Sequence, residues 1–147
     1  MSTRYSADYV PPLPVLPVTF GYGGERPQLG PFDGIVDTGA DATIVPEDIP
    51  QRLKATPLNP GQLETQWGDV HPVTIYLLDI EIDGHRLPGI IVAGDPESGE
   101  VVLGRSVLNT LALFLDGPGR QTDILDDATV KRLRTLRSGK SGLPPSP

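Results

Sequence analysis

Five consecutive residues, Asp37-Thr38-Gly39-Ala40-Asp41, concentrate the chemistry this chain could perform. Asp37 follows the apolar stretch Phe32 to Val36, broken only by Asp33 and Gly34, and an ionised carboxylate placed there is costly unless hydrogen-bond donors surround it. The Thr38 hydroxyl and nearby backbone amides are the donors on offer, and Gly39 lets another stretch of chain approach closely. A plainer use of the same residues is an Asx turn, in which the Asp37 side chain caps its own backbone. Calcium binding by Asp37 and Asp41 would need further oxygen ligands that the loop lacks. His71 and His85 have no partners at ligand spacing, and cysteine is absent, so no metal site, disulfide or thiol nucleophile is expected. A second segment, Val101-Val102-Leu103-Gly104-Arg105, begins 66 positions after Ile35-Val36-Asp37-Thr38-Gly39 and shares its form, apolar residues running into a turn, with the carboxylate replaced. The pair hints at an internal duplication.

Short strands must position such loops. The 147 residues are 37% hydrophobic, enough for one core, while 17 glycines and 17 prolines leave little room for long helices. Val10-Pro11-Pro12-Leu13-Pro14 lacks backbone donors, so residues 1–14 read as an extended N-terminal arm. Strands are predicted over Val15 to Phe20, Phe32 to Val36 and Thr43 to Val45, with a short helix near Glu47 to Leu53. From Val73 to Ile82 apolar and acidic residues alternate with period two, Asp83-Gly84 suits a two-residue hairpin turn, and Leu87 to Val92 returns. Val101 to Leu103 forms a buried strand leading into a short helix over Ser106 to Leu111, followed by an apolar segment Ala112 to Leu115, a turn at Asp116 to Gly119 and a last strand at Thr122 to Ile124. Residues 126–137 read as a short amphipathic helix with acids first and bases last, and residues 138–147 as a disordered tail. The class is all-β.

Phe32 to Pro46, with Asp37-Thr38-Gly39-Ala40-Asp41 between apolar runs, resembles the active-site segment of retropepsin-like aspartic proteases. Val101-Val102-Leu103-Gly104-Arg105 is similar to the later apolar-Gly-Arg element of that family. The resemblance spans roughly residues 13 to 125. It implies a closed retropepsin-like acid-protease β-barrel with one or two short helices, filling residues 15–125. The chain has one Asp-Thr-Gly segment, and Glu97-Ser98-Gly99 is its nearest imitation, so the resemblance implies a homodimer in which two Asp37 carboxylates share one proton. One acts as base on a bound water and the other as acid toward the scissile carbonyl, with no cofactor. It further implies that Thr38 braces the dyad across the dimer, that Gly39 and Asp41 hydrogen-bond substrate backbone, and that Ala40 lines a subsite. Arg105 matches an arginine that pairs with Asp41. Leu63 to Val73, with its tip near Gln66, Trp67, Gly68 and Asp69, is the best candidate for the family's flap, which would place Trp67 and Gly68 against substrate.

The net charge is −7; residues 126–147 carry +3, which leaves −10 on residues 1–125. A body so acidic repels phosphate backbones, so nucleic acid is not an expected partner. No apolar run is long enough to span a membrane and no secretory signal is visible, which predicts a cytoplasmic protein. Two functions are compatible with these residues: an aspartic endopeptidase acting on peptide or protein substrates, and a catalytically silent dimerisation or peptide-binding module on the same fold.

Overall fold

Strands this short bury an apolar face only by closing on one another, and six of them do. The computed structural model describes residues 2–65 and 67–138; Gln66, at the expected flap tip, and nearly all of the expected tail lie outside the described residues. The strands are β1 (Ser2–Arg4), β2 (Val15–Gly21), β3 (Leu29–Val36), β4 (Thr43–Pro46), β5 (Asn59–Glu64), β6 (Val70–Ile82), β7 (His85–Asp95), β8 (Val101–Leu103), β9 (Leu113–Asp116) and β10 (Gln121–Ile124). The helices are α1 (Asp48–Arg52), α2 (Arg105–Leu108) and α3 (Asp127–Arg137). Two of them lie within residues 15–125, as the resemblance implied for the barrel, and the third falls where the amphipathic helix was expected. None is long and apolar enough to cross a membrane.

The order β2-β3-β8-β4-β7-β6 is closed by pairing of β6 back onto β2, and β5 hangs from the outer edge of β6. Inside the barrel Leu16, Val18, Phe20, Leu78, Ile80 and Leu103 are fully buried, joined by Val45 and Val92. The topology has an internal two-fold pattern. β2-β3-β4-α1 repeats as β6-β7-β8-α2, with β3 parallel to β8, β4 parallel to β7, and β4 antiparallel to β8 between them. The register Ile35 to Val102 and Val36 to Leu103 sets the two similar sequence segments side by side. The β6–β7 turn has positive φ at both Asp83 (48°) and Gly84 (75°), as a type I′ hairpin requires.

Two features differ from expectation. Residues 2–4 are not part of a separate arm: β1 pairs antiparallel with β10, which pairs with β9, giving a second three-stranded sheet that ties the start of the chain to residues beyond the barrel. The prolines that argued for an arm lie further on, where Ser6 and Leu13 bridge and leave the first residues free to join a sheet. Helix α3 is capped by Asp126, whose carboxylate accepts from the Thr129 N–H at 2.7 Å and is held below the ordinary carboxylate range by that bond. Yet no residue of α3 is buried, and Leu133 and Leu136 are exposed.

Asp79 is a buried carboxylate at the register shift between Leu78 and Ile80. Its two oxygens accept from Gly24 N–H and Gly89 N–H, each at 2.9 Å, so one side chain ties the β2–β3 loop to β7. Asp79→Ala orphans both amides and should destabilise the fold by about 1–3 kcal/mol per amide, measured by urea unfolding.

Candidate active site

Residues 37–42 span the gap between β3 and β4, and their shape comes from the end of β8. Asp37 N–H donates to the Leu103 carbonyl at 3.1 Å, extending the β3–β8 ladder one step past Val36. The chain then turns sharply, with Ala40 N–H donating to the Asp37 carbonyl at 3.2 Å. Arg105 N–H donates to the Ala40 carbonyl at 2.8 Å, and the Arg105 guanidinium donates to the Thr38 carbonyl at 3.0 Å. Behind the loop, a Cβ added to Gly104 would lie 2.2 Å from the Ala42 carbonyl oxygen, so only glycine fits there. The buried Thr43 hydroxyl accepts from Gly104 N–H at 3.2 Å and lies 3.1 Å from the Ser106 hydroxyl.

The Asp37 carboxylate is exposed. Its Oδ1 accepts from Gly39 N–H at 3.0 Å, the bond of an Asx turn, and no protein group bonds its Oδ2 among the described residues. One oxygen is thus oriented and the other available, so the turn-forming use of Asp37 leaves room for the chemical one. Gly39 suits the arrangement because a Cβ at that position would lie 3.2 Å from Oδ1.

Beside this loop runs an open groove of about 820 Å³. Gly39, Asp41 and Ala42 form one wall and Gln62 to Thr65, from β5 and the residue after it, form the other, with Ile91 and Ser106 completing it. The hairpin of β5 and β6 ends in a turn where Thr65 N–H donates to the Asp69 carbonyl at 2.8 Å. Trp67 stands on that turn, 82% exposed, with Gly68 at φ +85°; neither lines the groove. The expected Asp41–Arg105 ion pair is not formed. Asp41 accepts from Ala42 N–H at 2.8 Å, while Arg105 has spent its guanidinium on the Thr38 carbonyl. Both side chains are exposed, where water competes with any attraction between them.

The expected flap segment holds Leu63, Glu64 and Thr65 of the far wall, and sequence reasoning missed Gln62 and Ile91. Leu63 was reached only as the start of a hairpin, and nothing in the run Ile90-Ile91-Val92 marks Ile91 as the residue turned outward, 59% exposed, toward the groove. The described residues able to gather around a metal ion are His71, Asp95 and Glu97, which do not line the groove.

Comparison with known proteins bears on the family and the fold. A family profile described as "gag-polyprotein putative aspartyl protease" matches residues 29–110, more than half of the chain. Among solved structures, the chain is similar to a retropepsin-like aspartic protease from Rickettsia conorii, with TM-score 0.56, 14% identity, and coverage of 83% of this chain and 86% of that one. EIAV protease complexed with the inhibitor HBY-793 aligns with TM-score 0.53 and 20% identity over 74% of this chain and 93% of that one. A foamy viral protease–reverse transcriptase aligns with TM-score 0.51 and 20% identity, over 84% of this chain and 17% of that one. No curated protein matches the sequence.

These contacts separate two neighbouring positions. Gly104→Ala drives a methyl group into backbone and should cost about 1–3 kcal/mol or more. Arg105→Ala removes one exposed bond and should cost about 1 kcal/mol or less. Urea denaturation of both variants checks the order; equal losses would show that the Gly104 contact relaxes.

Proposed function

The chain belongs to the gag-polyprotein aspartyl protease family, and from that premise we propose that it is an aspartic endopeptidase whose reactive unit joins the Asp37 carboxylates of two copies. The observation that carries this reading is the state of Asp37: exposed, oriented through Oδ1 by Gly39 N–H, with Oδ2 unbonded, in a loop whose Gly39, Asp41 and Ala42 line a groove. One chain contributes one such carboxylate. In a two-fold dimer, two of them at the axis form a dyad in which one proton is shared, because like charges at that range resist ionising together. The ionised partner takes a proton from water as water attacks the scissile carbonyl, and the protonated partner donates to the carbonyl oxygen.

The remaining residues have supporting roles in this proposal. Thr38 braces the dyad, Gly39 and Asp41 offer hydrogen bonds to substrate backbone, and Ala40 borders a subsite. The β5–β6 hairpin is the flap, and Trp67 and Gly68 on its turn meet substrate when the hairpin folds down. Arg105 holds the loop through Thr38 rather than through Asp41. An open groove of about 820 Å³ between the loop and the β5 strand has room for a stretch of peptide. The Asx-turn bond at Asp37 favours a second reading, a silent peptide-binding module in which Asp37 only shapes the loop.

Asp37→Asn separates the two. The amide preserves the loop but cannot share a proton, so cleavage of a peptide mixture, read by mass spectrometry, should fall by at least about 10²–10⁴-fold. Wild-type cleavage in a preparation free of other proteases would leave the silent module. Specific activity should decline on dilution, tracking dimer dissociation by light scattering; flat activity in a monomeric sample would exclude the shared dyad.

A further inference from the structure

His71, at the start of β6 just past the hairpin turn, is bracketed by two carboxylates from the far end of β7 and the loop after it. Its Nε2 lies 3.0 Å from Asp95 Oδ2, and its Nδ1 lies 3.8 Å from Glu97 Oε2. These partners are distant in sequence, and β-sheet geometry gathers them. Thr74 pairs with Gly94, and extending that register by three residues sets His71 opposite residue 97. The loop then folds back: Asp95 Oδ1 accepts from Glu97 N–H at 2.9 Å, which turns the Glu97 side chain toward the imidazole. Asp95 is 5% exposed, while Glu97 is exposed, so the cluster has a fixed inner ligand and a mobile outer one that leaves a way in from solvent.

From this geometry we propose that His71, Asp95 and Glu97 form a binding site for a divalent transition-metal ion, zinc being the type, at the root of the β5–β6 hairpin. One ligand atom from each residue lies within 4.8 Å of the other two. Four donors arranged tetrahedrally around zinc stand about 3.3 Å apart, as follows from metal–ligand distances near 2.0–2.2 Å; an ion on Nε2 beside Asp95 therefore draws the exposed Glu97 side chain round from its place at Nδ1, and water completes the shell. One imidazole and two carboxylates suit zinc, cobalt or manganese; calcium and magnesium prefer all-oxygen sites. The site joins elements with a bearing on the groove. His71 pairs across the hairpin with Leu63, a groove residue, and the Asp95 carbonyl accepts from Glu47 N–H, just before α1. A bound ion would therefore tie one arm of the hairpin to the barrel wall and set how freely it moves. The site stands independently of the protease reading.

The test uses the full chain without a histidine tag. Zinc is titrated calorimetrically into the wild type and into His71→Gln, Glu97→Gln and His85→Gln, each checked for folding by circular dichroism, and cobalt is followed by its visible absorption. One zinc per chain should bind and raise the unfolding midpoint, because an ion that binds only the folded state stabilises it. His71→Gln should weaken binding by about 100-fold and Glu97→Gln by about 10-fold or more, while His85→Gln leaves it unchanged. Glu97→Gln keeps the test open if His71→Gln fails to fold, because the side chain of Glu97 is exposed. Absence of binding by the wild type at millimolar zinc would overturn the proposal and leave a simple ion pair. Binding unchanged in both His71→Gln and Glu97→Gln, or equalled by calcium, would overturn it as well.

Discussion

The passage of Gly104 against the backbone of residues 40–42 is the contact on which the candidate site rests. Two stretches of main chain cannot approach so closely unless neither carries a side chain between them, and the space at Gly104 is too small even for a methyl group. Once they do approach, the polar groups of the loop find partners on the next residues of the same strand end. Leu103 accepts from Asp37, Ala40 accepts from Arg105, and the Arg105 side chain reaches Thr38. A loop that would otherwise sample many shapes is thereby held to one, without any buried charge beneath it.

That economy explains why the Asp41–Arg105 pair is dispensable. A surface ion pair contributes little because water screens it and two side chains lose freedom to make it. A guanidinium bonded to a backbone carbonyl restrains the loop directly. It also leaves the Asp41 carboxylate at the rim of the groove, bonded only to the amide next to it.

The internal two-fold pattern gives the barrel two strand–loop–strand units of similar shape and different chemistry. The β3–β4 loop carries Asp37 with an unbonded oxygen, whereas β7 ends in Asp95, buried and bonded on both oxygens. In the second unit, the hydrogen bond to Asp95 raises the His71 pKa above the ordinary imidazole value, even though partial burial opposes the charge. An aspartate at the end of a barrel strand thus stands in two settings, exposed with one oxygen unbonded in one unit and enclosed as a partner in the other.

How far the sequence could be read follows from the range of the interactions concerned. Period-two alternation over residues 73–82, the Asp83-Gly84 turn and the apolar runs before Asp37 and Gly104 are local signals, because side-chain alternation and φ preferences act between neighbours. They identified an all-β chain and the loop between β3 and β4 that carries Asp37. Three things were not legible. β1 joins a second sheet through residues more than a hundred positions away; Ile91 rather than Ile90 faces the groove; and His71 meets Asp95 and Glu97. Each depends on strand register, and a shift of one residue exchanges the two faces of a strand while leaving its composition untouched. The sequence by itself determined which residues could carry charge, turn the chain or admit a close approach. Tertiary structure alone decided which of them meet, because barrel closure and register bring together groups that no local pattern relates.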